Sequence, residues 1–116
     1  MPKLPNVESA VVAERKLRHY LFDHEHPEGA PKARFLEGFG YSVERQDELR
    51  TALLAHAVAH DINVQRVTEF GILYELIGRL ASPDGRNPVV RVVWIVDHGG
   101  SVPRFVTLVP DHERNP

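Results

Sequence analysis

The chain changes texture once, near Thr68, and that change limits its fold more than any other feature. Before it, apolar residues recur at helical spacing; after it, Phe70 to Leu80 and Val89 to Val96 are dense in branched and aromatic residues. Ser82-Pro83-Asp84-Gly85 separates those two β-prone runs as a turn, and Asp97-His98-Gly99-Gly100-Ser101 makes a second. Pro103 can then open a third strand over Arg104 to Val109, where Phe105 alternates with Arg104 and Val106. The expected sheet is therefore a three-stranded antiparallel meander.

The helical half divides at its prolines and glycines. Val7 to Val12 is too short and mixed to assign. In Glu14 to Phe22, Leu17, Tyr20 and Leu21 stand at i, i+3 and i+4, the spacing of a short amphipathic helix. Pro27, Gly29 and Pro31 fall within five positions and break it into a loop. Pro31 suits a first helical position, so a second helix is expected over Lys32 to Phe39, stopped by Gly40. Ser42 can cap a third, over about Val43 to His60, with Leu49, Ala52, Leu53, His56 and Ala57 on one side. Helices first and antiparallel strands afterwards give an α+β domain, with the helical part over about residues 7–60 and the sheet over about 64–110. The 116 residues suffice for one hydrophobic core, so residues 1–116 read as a single domain, and the tail from Asp111 is expected to fray.

Composition narrows the chemistry. The absence of cysteine removes disulfides, thiolate metal sites and a cysteine nucleophile, and suits a reducing compartment. No run is apolar enough for a signal peptide or a membrane span, so a cytoplasmic location without membrane association is expected. With 14 Lys and Arg against 16 Asp and Glu, the net charge of −2 gives no global basic field, and any RNA contact must be local. The glycines form neither a phosphate loop nor a dinucleotide fingerprint, and no cofactor is implied.

The segment His26-Pro27-Glu28-Gly29-Ala30-Pro31-Lys32 carries most of the chemical interest. It sets an imidazole and an ammonium group around a stiff loop that leads into a helix N-terminus, where backbone N–H groups and the dipole attract anions. An imidazole beside an ammonium group suits metal-free RNA cleavage, one moving a proton and the other offsetting charge on phosphate. The same residues more readily make a structural turn in which Pro27 and Gly29 shape the loop and His26 caps a backbone group. Arg91 and Arg104 can contact phosphate as guanidinium forks, and Tyr20 and Thr107 can donate hydrogen bonds to it. Each also has a plain structural use, as an exposed strand arginine, a core tyrosine or a β-forming threonine. His56 and His60 share a helix face, but His56-Ala57-Val58-Ala59-His60 lacks the glutamate of a metalloprotease helix, and no metal site is expected. Trp94 on the middle strand is expected in the core.

On Leu4-Pro5-Asn6, Lys16-Leu17, Tyr20-Leu21, His26-Pro27, Gly29, Lys32-Ala33, Phe35 and Gly40-Tyr41, the chain resembles a family of small bacterial domains of uncharacterised activity. The likeness continues through Gly71, Tyr74, Asp84-Gly85, Trp94-Ile95-Val96, Val102-Pro103-Arg104 and Thr107. Such domains are similar to the C-terminal modules of polymorphic toxins and to the toxins of toxin–antitoxin pairs. The resemblance implies a fold like that of RelE, barnase, EndoU and the tRNA-cleaving colicins, endoribonuclease activity without metal, and a small antitoxin-like partner. It singles out His26, Lys32, Arg104 and Thr107 as catalytic candidates, with Tyr20 and Arg91 as substrate contacts. The alternative is an immunity-type or partner-binding domain without catalysis.

Overall fold

A computed structural model describes residues 2–115. Helix α1, Glu14–Lys16, runs straight into a π-helical turn, Leu17–Leu21, closed by the Phe22 N–H on the Leu17 carbonyl at 3.0 Å. Helix α2 covers Gly29–Gly38, and α3 covers Gln46–Ala59 behind a 3-10 turn, Val43–Arg45. The strands are β1 (Ile62–Val67), β2 (Gly71–Arg79), β3 (Val89–Asp97) and β4 (Arg104–Pro110). They form one antiparallel sheet in the order β1-β2-β3-β4.

The expected α+β order stands, with four strands rather than three. The added strand, β1, pairs Val67 with Ile72 and Ile62 with Leu76, yet only Ile62 is buried. An edge strand with five exposed residues has no strong hydrophobic alternation, so its pairing partner, not its own composition, defines it. Helix α2 also begins earlier than Pro31 suggests, at Gly29. It ends in a Schellman arrangement: the Gly40 N–H meets the Glu37 carbonyl at 3.0 Å and the Tyr41 N–H meets Leu36 at 3.2 Å. Gly40 has φ +99, the left-handed backbone that such a stop requires.

The helices cover one face of the sheet. Leu17, Leu21, Leu36, Leu49 and Leu53 bury themselves against Leu76, Val90, Val92, Trp94, Phe105 and Leu108. Tyr74, Trp94 and Phe105 stand in register across β2, β3 and β4, and the Trp94 and Phe105 rings meet edge to face at 5.9 Å, a contact worth about 1 kcal/mol beyond its buried area. Leu4 and Val12 join this core, and Val11 bridges to the start of β4 through the Pro103 carbonyl and the Phe105 N–H.

The tail is pinned as far as Asn115, contrary to the expected fraying, with Pro116 outside the described residues. The buried Asp111 carboxylate accepts the Arg114 guanidinium at 2.6 Å, and the Asn115 amide both accepts from and donates to the Val89 backbone at 2.8 Å. Among the described residues, no helix is long and apolar enough to cross a membrane.

Candidate functional site

Where α1, α2 and β4 meet, an open cleft of about 560 Å³ is lined by Arg15, Lys16, His19, Tyr20, His26, Glu28, Arg104, Val106 and Thr107. Three local features build it. Arg15, Lys16, His19 and Tyr20 occupy the outer side of the α1 and π-turn segment, opposite the buried Leu17 and Leu21. On β4, Trp94 pairs with Phe105 and Val93 with Thr107, so Val106 is an extra residue. That bulge keeps Phe105 and Leu108 in the core while turning Val106 and Thr107 to the cleft. The third feature is Gly29: a Cβ there would overlap the Tyr20 carbonyl oxygen, so only glycine lets α2 start this close to the π-turn.

Tyr20, Lys32 and Thr107 form a closed triangle at the wall. The Lys32 ammonium group donates to the Tyr20 phenol oxygen at 2.6 Å and to Thr107 Oγ1 at 2.5 Å, and the two hydroxyls lie 2.8 Å apart. Although Lys32 Nζ is 5.0 Å from the Tyr20 ring centroid, it reaches the ring through the phenol oxygen, which makes this a hydrogen bond rather than a cation over the face. Lys16 Nζ, also 5.0 Å from the centroid, makes no such bond and is the cation on the ring.

The His26 ring meets Tyr20 edge-on at 5.1 Å. Its Nδ1 accepts the Glu28 and Gly29 N–H groups, both at 3.1 Å, so it caps α2. With Nδ1 accepting, the ring proton sits on Nε2, which has no protein partner among the described residues. The structural use of His26, as a cap, is thus met through Nδ1, and Nε2 is left facing the cleft.

Electrostatically the cleft crowds cations together. Burial lowers the pKa of Lys16; Tyr20 opposes that shift, and the charges of Arg15, Arg104 and Lys32 add to it. Arg104 holds Asp97 with both arms, at 2.8 and 2.9 Å. This pairing keeps the Asp97 carboxyl below its ordinary range and raises the guanidinium.

Five of the six candidates thus surround one cleft: His26, Tyr20, Arg104 and Thr107 line it, and Lys32 braces its wall. Arg91 does not join them. It opposes Ile77 and Val109 on the sheet face away from the helices, where its guanidinium approaches Glu75 at 3.6 Å, with Arg66 on the same carboxylate at 3.1 Å. In a strand, two residues of offset from Arg91 to Val93 preserve the face, but only the β4 bulge turns Thr107 toward the helices, and Arg91 has no equivalent. Arg15, Lys16 and His19 are cleft residues beyond the six candidates, Lys16 having entered only through the family resemblance. Their signal was the basic run opposite Leu17 and Leu21, which by itself resembles an ordinary solvated helix face.

The His56 and His60 pair fastens the end of α3 to β2, with His56 buried and His60 half-buried. Their Nε2 atoms meet the Gly78 carbonyl at 3.2 Å and the Arg79 carbonyl at 3.1 Å, and Gly78 lacks the Cβ that would strike the His60 ring. Among the described residues, no group of three or more His, Cys, Asp or Glu side chains stands close enough to hold a metal ion.

Residues 3–112 match the model of a family described as Domain of unknown function (DUF6883). The chain belongs to this family. Its fold is similar to that of a chain in a structure described as a contact-dependent growth inhibition toxin and immunity protein complex from Klebsiella pneumoniae 342. The TM-score is 0.71 at 16% identity, over 90% of this chain and 96% of that chain. No curated protein matches the sequence.

Proposed function

We propose that this domain is a metal-independent endoribonuclease, the toxin of a system in which a small cognate protein holds it in check, on a fold of the RelE and EndoU kind. The observation that supports this most is the crowding of Lys16 by Arg15, Arg104 and Lys32 in a cleft where Tyr20, Thr107 and the free nitrogen of His26 converge. Gathered cations lower one another's affinity for protons and raise their joint affinity for an anion such as phosphate.

In the reaction, a ribose 2′-oxygen attacks the adjacent phosphorus while the bond from phosphorus to the 5′-oxygen breaks. The 2′-hydroxyl proton goes to His19, which lines the same cleft, and Lys16, made more acidic by its surroundings, supplies a proton to the departing oxygen. His26 Nε2–H and the Arg104 guanidinium offset the charge on the phosphate oxygens. Tyr20 and Thr107 orient the phosphate, held in place by Lys32.

The test is cleavage of total RNA by the purified domain in excess EDTA. We expect cleavage by the wild type and its loss in His26→Ala and Lys32→Ala proteins that remain folded. Intact RNA with the wild type would remove the nuclease reading.

One observation favours a second reading, a non-catalytic partner-binding or immunity-type domain: β1 is an edge strand covered at its start, where the Ile62 N–H meets the Pro2 carbonyl at 2.9 Å, but at its far end Val67 and, in the turn that follows, Phe70 are 73% and 68% exposed. An open edge with apolar neighbours is the surface that strand addition uses. Inactive wild-type protein that binds a toxin through this edge would establish it.

A further inference from the structure

Lys32 borders a second cavity that the proposed cleavage leaves unused. This cavity, about 490 Å³, is lined by Glu28, Pro31, Lys32, Phe35, Pro110 and His112. It shares Glu28 with the cationic cleft, and Lys32 links the two, since the Tyr20 and Thr107 hydroxyls to which it donates line the cleft. The two cavities differ in kind: one is walled by cations, the other largely by an aromatic ring and two prolines.

A nucleotide has the same two-part chemistry. Its phosphate is an anion, and one sugar away lies a flat base with apolar faces and a polar edge, which proteins recognise by stacking and by hydrogen bonds to that edge. We propose that the second cavity is a nucleobase subsite, taking the base of the nucleotide whose phosphate occupies the cleft; this rests on the phosphate reading of that cleft. Phe35 supplies the stacking face, and the Phe39 ring, 5.0 Å away and tilted, packs against it. The Glu28 side chain makes no hydrogen bond or ion pair among the described residues, so its carboxylate is available to accept from a base edge. A carboxylate favours a base that offers two adjacent N–H donors, as guanine does.

The test is titration of the folded domain with guanosine monophosphate, uridine monophosphate and ribose phosphate. We expect the guanosine nucleotide to bind about tenfold more tightly than ribose phosphate, the scale of one stacked base. Phe35→Leu, which keeps apolar bulk in the core, should erase that increment and leave ribose phosphate binding unchanged. His112→Ala, at an exposed position, should reduce the increment, and Glu28→Gln should narrow the preference for guanosine over uridine. Equal binding of guanosine monophosphate and ribose phosphate by the wild type would overturn the subsite while sparing the cleft, and would leave this cavity to an apolar side chain of a protein partner. No binding of ribose phosphate or of either nucleotide would overturn the cleft reading, and the subsite with it.

Discussion

The molecule uses histidine in two opposite ways, at the start of α2 and at the end of α3. His56 is 2% exposed, gives one nitrogen to the Gly78 carbonyl and keeps the other buried in the core. His26 gives one nitrogen to the α2 N-terminus and presents the other to an open, cation-lined cleft. A histidine enclosed on both sides fastens a helix to a strand; one fastened on a single side can still meet a substrate. Closeness in sequence says little here, since His56 and His60, with rings 4.5 Å apart, each spend Nε2 on a β2 carbonyl.

Substitution should separate the two regions. His26→Ala should lower RNA cleavage by about 100-fold or more, the range for a lost oxyanion donor, at a stability cost of about 1 kcal/mol for the missing cap. His26→Asn, with an amide oxygen that can cap α2, should recover stability in a denaturant titration without recovering cleavage. Gly29→Ala should affect both properties at once, destabilising the fold by about 3 kcal/mol because the added methyl group meets the Tyr20 backbone.

The α3 region should respond to pH instead. Burial, with a further contribution from the neighbouring His60, lowers the His56 pKa to about 4, against 6.5 for the unperturbed group. Between those values the unfolded chain binds a proton that the folded chain refuses. The stability from neutral His56 is therefore complete above about pH 6.5 and lost as pH falls toward 4, by about 3 kcal/mol in all. His56→Leu should flatten that slope in denaturant titrations at pH 7 and pH 4.5 while leaving RNA cleavage intact. The smallest effect is expected at the half-exposed Asp97: Asp97→Asn loosens the grip on Arg104 and should tighten phosphate binding severalfold with little change in melting temperature.

Much of this architecture was legible where a local rule and the tertiary structure agree. The turns around Asp84-Gly85 and Gly99-Gly100, the bodies of α2 and α3 and the Gly40 stop follow from residues whose backbone preferences coincide with their final places, whereas the π-helical turn after Lys16 and the Gly29 start of α2 do not. β1 was not legible, because a solvent-facing edge strand such as Asn63-Val64-Gln65-Arg66 is specified by β2 beside it. Nor was the tail, whose order depends on Asp111 and Asn115 meeting Arg114 and Val89. At the site, the loop from His26 to Lys32 announced itself through its prolines and its charged ends. The place of Thr107 depends on a bulge, that of Lys16 on the approach of β4, and the pairing of Arg104 on Asp97 across a turn, and none of these has a local signature.

The most direct test of the central claim, that the cleft between α1, α2 and β4 cleaves RNA, is the integrity of total RNA after induced expression of the wild type, Lys32→Ala and His56→Leu at matched levels of folded protein. Cleavage by the wild type and by His56→Leu, with none by Lys32→Ala, is the predicted result. Intact RNA in the presence of folded wild-type protein, or cleavage that survives the loss of Lys32, would contradict it.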